Sequence, residues 1–312
     1  MSGVTLEEDA ACPVHGARCG PPRPVFDLAS PEAVTSPWGV RTTELRIFAC
    51  RRTGLRFRPA PPEARIADYY GADYHEAMEG GDNAERARGA RDENEQRIRH
   101  LRRFAPAGRV LDFGCSTGVL AMQLRAAGYE VEGADLSPYA CERARALLPG
   151  MPVHCGSIGD HLGALRRRFD AVTMMDVIEH LPDVAGTLGH LRELLRPGGL
   201  LFLRTPTMRS PFYRVAEWSY RLSGGRYRQA LLRAYHAEHL VFFDEASIVS
   251  TLGEFGFDVI EISPDPLLWR NFRAAEMRGG WLQNTALAAV YFLGRLAGRG
   301  HGMRVVARRR EE

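Results

Sequence analysis

Between residues 109 and 309, short apolar runs alternate with amphipathic stretches. The apolar runs predict strands at 109–113, 129–134, 151–155, 169–175, 199–204, 257–264 and 303–309. Helical spacing of apolar residues predicts helices over 117–127, 138–148, 183–196 and 244–255. Such alternation predicts an α/β domain whose mostly parallel sheet carries helices on both faces. We expect the ligand at the carboxyl ends of the strands.

The first third of the chain lacks the alternation of apolar and amphipathic stretches that begins at residue 109. Residues 1–37 are rich in proline, glycine and small residues, which predicts no regular structure at the start of the chain. Apolar and polar positions alternate over 43–58, with a turn at Thr53–Gly54, and predict a short hairpin. The predicted organisation is therefore an N-terminal region at 1–62, a helical lid or linker at 63–104, and a main domain at 105–312 with a cap insertion at about 206–240.

Composition and charge narrow the class of protein. The chain has 312 residues, is 45% hydrophobic and carries a net charge of +3, with arginines spread along it rather than in a dense run. This distribution argues against nucleic acid as a partner. The acids Glu7, Glu8 and Asp9 are unlike a signal peptide, and no uninterrupted apolar run is long enough to span a membrane. We therefore expect a cytoplasmic protein with reduced thiols.

Residues 110–118 read VLDFGCSTG, a strand that breaks into a small-residue turn. A dinucleotide loop of the G-x-G-x-x-G type would need glycine where Ser116 and Val119 stand. Asp112 would repel a pyrophosphate but suits the ammonium group of S-adenosylmethionine. Gly114 and Gly118 allow the backbone to approach a ligand closely. Asp135 ends the next strand, where its carboxylate can accept the protons of both ribose hydroxyls.

The pattern acid-x-Gly-x-small-x-Gly resembles motif I of class I S-adenosylmethionine-dependent methyltransferases. The stretches FDAVTMMDVIEHLPD (169–183) and LLRPGGLLFLRTPT (194–207) resemble the fourth strand and the turn before the fifth strand of that superfamily. The resemblance implies a Rossmann-like, seven-stranded sheet and S-adenosylmethionine as cofactor. Ser157 stands where many relatives carry an acid that faces adenine. The cofactor contacts that the resemblance implies are Asp112, Gly114, Cys115, Ser116, Gly118, Asp135, Leu136, Ser157, Ile158, Met175 and, in the lid, Tyr74.

The candidate catalytic residues are Glu179, His180 and His239. The stretch DVIEH resembles the acid-x-x-Glu-His group of ubiquinone-pathway O-methyltransferases, which implies a divalent cation such as Mg²⁺ on Asp176, Glu179 and His180. Alternatively, Glu179 and His180 order the loop, or His180 serves as a base without metal. The stretch AEHLVFF resembles the segment after the active-site cap of related enzymes, which gives His239 a substrate or catalytic role or, alternatively, packing beneath the cap.

The stretches CPVHGARC (12–19) and CRRTGLRF (50–57) resemble the two knuckles of an N-terminal zinc ribbon found in some methyltransferases of glycan and natural-product pathways. His15 replaces the second cysteine of that pattern, which zinc accepts, and Thr53 replaces the fourth, which zinc does not. Cys19 could supply the missing ligand, for a zinc site of Cys12, His15, Cys19 and Cys50. Otherwise the hairpin persists through packing without metal.

These observations predict a methyltransferase that acts on a small-molecule acceptor, most simply a hydroxyl of a sugar, glycan or secondary metabolite. One alternative is methylation of nucleic acid through the arginine-rich stretch 209–233, although no Asn-Pro-Pro-aromatic motif follows the fourth strand. The other is a cofactor-binding scaffold without turnover.

Overall fold

A computed structural model of the chain describes residues 11–35, 41–60, 70–71, 74–75, 83–265 and 281–311. Its strands are β1 (Arg23–Thr35), β2 (Arg41–Ala49), β3 (Arg56–Phe57), β4 (Arg109–Phe113), β5 (Glu130–Asp135), β6 (Val153–Cys155), β7 (Phe169–Met175), β8 (Leu195–Pro206), β9 (Val241–Phe242), β10 (Phe257–Asp265) and β11 (Gly302–Arg309). Its helices are α1 (Asn83–Arg102), α2 (Val119–Ala126), α3 (Pro138–Leu147), α4 (Leu162–Leu165), α5 (Val184–Leu194), α6 (Pro211–Leu222), α7 (Gln229–Ala234), α8 (Glu245–Glu254) and α9 (Trp281–Leu296).

The main sheet has seven strands in the order β10-β11-β8-β7-β4-β5-β6. Strands β4 to β8 run parallel, whereas β11 is antiparallel to both of its neighbours. All seven strands predicted in the main domain are confirmed. Strand β8 begins earlier than predicted because Leu195 already pairs with Phe169, across a register shift, before Leu200 pairs with Ala171.

Helices cover both faces of this sheet, as predicted. Val110 packs in one core cluster with Leu124 and Cys141, on α2 and α3. The next residue, Leu111, packs in another cluster with Leu188 and Ile248, on α5 and α8. Successive strand residues point to opposite faces, so both faces of the central strand β4 are buried. Each fully buried leucine contributes about 1.5–3 kcal/mol relative to an exposed one.

A second, antiparallel sheet has the order β1-β2-β3-β9. The predicted hairpin is confirmed as β2 and β3, with Gly54 at φ +72° in the turn. The expectation of no regular structure in 1–37 is wrong for β1. Phe26 and Leu28 alternate with the exposed residues Asp27 and Ala29, and their buried side chains pack in one cluster with Tyr235, which stabilises the strand.

The predicted cap consists of α6 and α7, which pack on the second sheet. Tyr213 and Leu231 are buried there beside Phe26, whereas Trp218 is exposed. Of the predicted lid at 63–104, residues 63–69, 72–73 and 76–82 lie outside the described residues, as do Glu7, Glu8 and Asp9. Among the helices that the structure describes, none combines the length and apolar character needed to cross a membrane.

Candidate functional site

The loop after β4 is a tight turn that brings backbone to the edge of the sheet. The N–H groups of Gly114 and Cys115 both donate to the Ala134 carbonyl, at 2.8 and 3.1 Å. Gly114 has φ +76°, and a Cβ there would overlap Val177 Cγ2. Glycine is therefore required at this position for its backbone conformation and for the space beside Val177. Gly118 has φ +88° and begins α2.

Asp112 places a buried carboxylate at the end of the central strand. Its Oδ1 accepts a hydrogen bond from Thr173 Oγ1 on β7, at 2.8 Å. Its Oδ2 is buried and makes no hydrogen bond within the described part of the chain. Burial raises the pKa of Asp112 to about 6. Such an oxygen can accept a proton or pair with a bound cation.

Asp135 fastens the loop to the end of β5. Its Oδ2 accepts from the Ser116 N–H at 2.8 Å, and its Oδ1 accepts from the Ser137 N–H at 2.9 Å. Each oxygen of an ionised carboxylate has two lone pairs, so both oxygens can accept one hydrogen bond more. Burial is the largest cause of a raised pKa for Asp135.

The other predicted cofactor contacts surround these two acids but differ in exposure. Ile158 and Cys115 are buried in the core, whereas Leu136 is 43% exposed. Ser157 precedes the short 3-10 helix Ile158–His161, and Met175 ends β7. Of these five residues, Leu136 and Ser157 are the solvent-exposed ones.

Two aromatic residues that the sequence analysis did not single out also reach the loop. His75 Nδ1 lies 3.4 Å from Ser116 Oγ, and its ring stacks on Tyr139. Ser137 Oγ donates to the Tyr70 carbonyl at 2.6 Å, and the Tyr70 ring contacts that of Tyr74. Both residues neighbour Tyr74 in the sequence stretch ADYYGADYHEAM (67–78), whose tyrosines and histidine are the local signal for them.

Glu179 lies in the short 3-10 helix Ile178–His180 that follows β7. Its Oε2 accepts from Thr205 Oγ1 at 3.0 Å, while Oε1 is buried without a hydrogen bond to the described residues. Burial raises the pKa of Glu179 to about 7. The carboxyl group can therefore exchange a proton near neutral pH.

The two candidate histidines lie beside Glu179. His180 Nδ1–H donates to the Glu238 carbonyl at 2.9 Å, which leaves Nε2 as a lone-pair nitrogen. The His180 and His239 ring centroids are 4.9 Å apart. Burial lowers the pKa of His180 to about 4 and that of His239 well below its usual value, so both rings are neutral. One ligand atom each of Glu179, His180 and His239 lies within 4.8 Å of the others.

Asp176 lies apart from this trio. Its carboxylate pairs with the Arg204 guanidinium and also with Arg97 Nη2, the latter at 3.4 Å. Its φ of +58° is unusual for a residue other than glycine. The structure therefore brings His239, rather than Asp176, to Glu179 and His180. Arg204, which also binds Asp265 at 2.8 Å, is a buried charged residue that the sequence analysis missed.

A second group of possible metal ligands lies in the N-terminal region. Cys12, His15 and Cys50 are buried, and one ligand atom of each lies within 4.8 Å of the others. The Cys19 thiol donates to the Gly16 carbonyl at 3.3 Å on the rim of this group.

The sheet order, with its one antiparallel strand, and the acidic, glycine-rich edge of its parallel strands define a class I S-adenosylmethionine-dependent methyltransferase. The chain belongs to the methyltransferase domain family, whose model matches residues 68–262. S-adenosylmethionine is its methyl donor.

Curated relatives and a solved structure agree with this assignment. The chain is 33% identical over 177 residues to the ubiquinone biosynthesis O-methyltransferase of Xanthomonas axonopodis pv. citri, covering 54% of this chain and 71% of the relative. It is 31% identical over 176 residues to that of Thiobacillus denitrificans, covering 54% and 74%. A chain from a complex between the Haloferax volcanii Trm112 methyltransferase activator and a methyltransferase has the same fold, with a TM-score of 0.52 and 20% identity over 73% of this chain and 95% of that chain.

Proposed function

We propose that this enzyme methylates a hydroxyl oxygen of a small molecule, and that Glu179, His180 and His239 form its catalytic group. The observation that carries the proposal is the convergence of these three side chains, in which the buried atoms Glu179 Oε1 and His239 Nδ1 make no hydrogen bond to the described residues. Buried polar atoms are normally satisfied, so unsatisfied ones that converge point to a ligand. The names of the curated relatives support oxygen as the acceptor atom.

The cofactor site fits S-adenosylmethionine. The unpartnered Oδ2 of Asp112 would pair with the ammonium group, and the remaining lone pairs of Asp135 would accept from the ribose hydroxyls. The turn at Gly114 lets the backbone approach the ligand. When bound, the cofactor supplies a methyl group already activated on a sulfonium sulfur. The protein's remaining task is to align the acceptor and to remove its proton.

We assign the proton-accepting role to Glu179. A general base works best when its pKa lies near the working pH, and burial raises the pKa of Glu179 to about 7. Thr205 holds Oε2, so Oε1 is the oxygen that would receive the hydroxyl proton. The neutral rings of His180 and His239 are weaker bases and would orient the hydroxyl by hydrogen bonding.

The resemblance to ubiquinone-pathway enzymes also implies a divalent cation. Glu179, His180 and His239 would hold it, and it would supply Lewis acidity toward the acceptor hydroxyl. Two imidazole nitrogens and one carboxylate fit zinc or another transition-metal ion better than Mg²⁺, which prefers oxygen ligands. His239 thus replaces Asp176 in the candidate ligand set, because the Asp176 carboxylate is paired with Arg204.

Labelled methyl transfer tests this function. Full-length protein is supplied with methyl-labelled S-adenosylmethionine and, separately, with glycosides, phenols and RNA. We expect label in a glycoside or phenol pool. Glu179→Gln keeps the bond from Thr205 but should lower kcat by about 10²–10⁴-fold, with the Kd for S-adenosylmethionine unchanged. The control Glu193→Gln, a partly exposed residue paired with Arg166, should behave as the wild type.

Each other outcome contradicts a part of the proposal. Label in RNA would make nucleic acid the acceptor, and cofactor binding without label in any pool would favour a scaffold. Full activity of Glu179→Gln would remove Glu179 from catalysis. Loss of activity on chelation, restored by zinc or manganese, would make Glu179 a metal ligand rather than the proton acceptor.

A further inference from the structure

The N-terminal cysteines and His15 converge at the boundary with the methyltransferase core. His15 Nδ1 lies 3.5 Å from Cys12 Sγ and 3.3 Å from Cys50 Sγ. All three side chains are at most 3% exposed. Cys12 packs in the same core cluster as Val184 of α5. A metal bound here would therefore be buried where the N-terminal region packs against α5.

The backbone around both cysteines forms two similar turns. The Gly16 N–H donates to the Cys12 carbonyl at 2.8 Å, and the Gly54 N–H donates to the Cys50 carbonyl at 2.9 Å, so the two turns are alike. Backbone N–H groups of Val14 and His15 point at Cys12 Sγ, and those of Arg52 and Thr53 point at Cys50 Sγ. N–H groups in these positions can hydrogen bond a metal-bound sulfur.

Cys19 is the fourth candidate ligand, and its Sγ lies outside the group of three ligand atoms that are within 4.8 Å of one another. Its thiol interacts with those of Cys12 and Cys50 and donates to the Gly16 carbonyl at 3.3 Å. Thr53, at the fourth ligand position of the zinc-ribbon pattern, instead hydrogen bonds Cys50 through its side chain. Three sulfurs and one imidazole nitrogen are a set that zinc binds tetrahedrally.

Glu254 determines which nitrogen of His15 faces the sulfurs. His15 Nε2–H donates to Glu254 Oε1 at 3.2 Å, and Arg52 Nε pairs with the same oxygen at 3.4 Å. With the proton on Nε2, His15 Nδ1 presents its lone pair to Cys12 and Cys50. Glu254 is the last residue of α8, so the carboxylate that orients this histidine belongs to the methyltransferase domain.

We propose that Cys12, His15, Cys19 and Cys50 bind one zinc ion and that Glu254 is a positioning residue for His15. The zinc would then connect the N-terminal region to α8, because its ligand His15 hydrogen bonds Glu254 at the end of that helix. The proposal concerns metal binding alone and does not depend on which acceptor is methylated.

Cobalt substitution of the full-length protein tests the ligand set. We expect about one zinc per chain as purified, replaceable by Co²⁺ with thiolate-to-metal charge-transfer absorption. Cys19→Ser should lower that absorption by about a third, since two of three thiolates remain. Protein without bound zinc that also fails to take up Co²⁺ overturns the site, and an unchanged cobalt spectrum in Cys19→Ser overturns the role of Cys19.

Metal affinity tests Glu254, measured by competition with a chromogenic chelator. Glu254→Ala should weaken zinc binding by about 10–100-fold, as is usual for residues that orient a ligand. Glu254→Gln keeps an acceptor for His15 Nε2–H and should recover most of the affinity. The control Glu130→Ala, an exposed residue of the main sheet, should bind as the wild type. Wild-type affinity in Glu254→Ala, or equal loss in Glu254→Gln and Glu254→Ala, overturns the positioning role.

Discussion

The affinity for S-adenosylmethionine should depend on pH through Asp112. This residue is 2% exposed, and burial raises its pKa to about 6. The carboxyl group must be ionised to pair with the ammonium group of the ligand, so protons compete with the ligand below that pKa. If one proton competes with the ligand, the apparent Kd at pH 6 is about twice its value at pH 7.5. At pH 5 it is about tenfold that value.

Calorimetric titration between pH 5 and 7.5 measures this slope. The matched ligand is 5′-methylthioadenosine, which lacks the ammonium group but keeps the ribose, so its affinity should lose the part of the pH dependence that comes from Asp112 and keep only that from Asp135. Asp112→Asn should flatten the profile and weaken binding at pH 7.5 by about 10–100-fold, the value of a hydrogen bond to a charged group. The control Asp258→Asn removes an exposed acid paired with Arg310 and should leave the profile unchanged.

The raised pKa of Asp112 also predicts how protein stability depends on pH, and this distinguishes a loss of ligand binding from a loss of folding. The folded-state pKa of Asp112 exceeds the unfolded value of about 4, so the folded state binds more protons between pH 4 and 6, and stability falls as pH rises through that window. Asp112→Asn keeps the bond from Thr173 and removes the buried charge, so its melting temperature should not drop above pH 6. A flat wild-type profile, or an equal slope with 5′-methylthioadenosine, would refute the assignment of Asp112.

Three further substitutions test the rest of the site. Asp135→Ala removes the acceptor of two loop N–H groups and should weaken S-adenosylmethionine binding by at least about tenfold in the same titration; unchanged affinity would exclude Asp135 from the ribose site. Gly114→Ala meets Val177 and should lower stability by about 2–4 kcal/mol in chemical unfolding, whereas Gly150→Ala, with a similar positive φ and open space, should lower it by only about 1–2 kcal/mol. His239→Gln should leave cofactor affinity intact and lower kcat by about 10²-fold, and an equal loss of both would indicate a role in folding.

Local patterns were sufficient for most of the main sheet. Strands β4 and β7 were predicted with the bounds they have, because their apolar runs end at a glycine turn or at a charged residue. Strand β1 was missed because its proline-rich sequence is stabilised from a distance, by burial of Phe26 against Tyr235. Strand β9 has only two residues and is defined by its pairing with β3, which lies far away in the sequence. No local pattern contains such pairings.

In the candidate site, too, the residue types could be predicted from local sequence, whereas their grouping depends on contacts between distant residues. The sequence supplied Glu179, His180 and His239 as residue types but grouped Asp176 with the first two because it is their neighbour along the chain. Arg204, on the adjacent strand β8, neutralises Asp176, and that contact depends on the register of β7 and β8. His239 reaches the trio because the Leu240 N–H donates to the Glu179 carbonyl at 2.7 Å. Neither the Arg204–Asp176 contact nor the Leu240–Glu179 hydrogen bond can be predicted without the folded structure.

Leu240 connects the N-terminal sheet to the candidate catalytic group. Its N–H bonds to Glu179, and its carbonyl accepts from the Arg58 N–H at 2.8 Å, at the end of β3. Strand β3 follows the turn that carries Cys50, and it pairs with β9 immediately after Leu240. The backbone of His239 is therefore held on one side by the methyltransferase domain and on the other by the N-terminal sheet. A shift of about 1 Å in a catalytic group can lower a rate about a hundredfold. With the catalytic role proposed for His239, we therefore expect ordering of the sheet β1-β2-β3-β9 to affect methyl transfer.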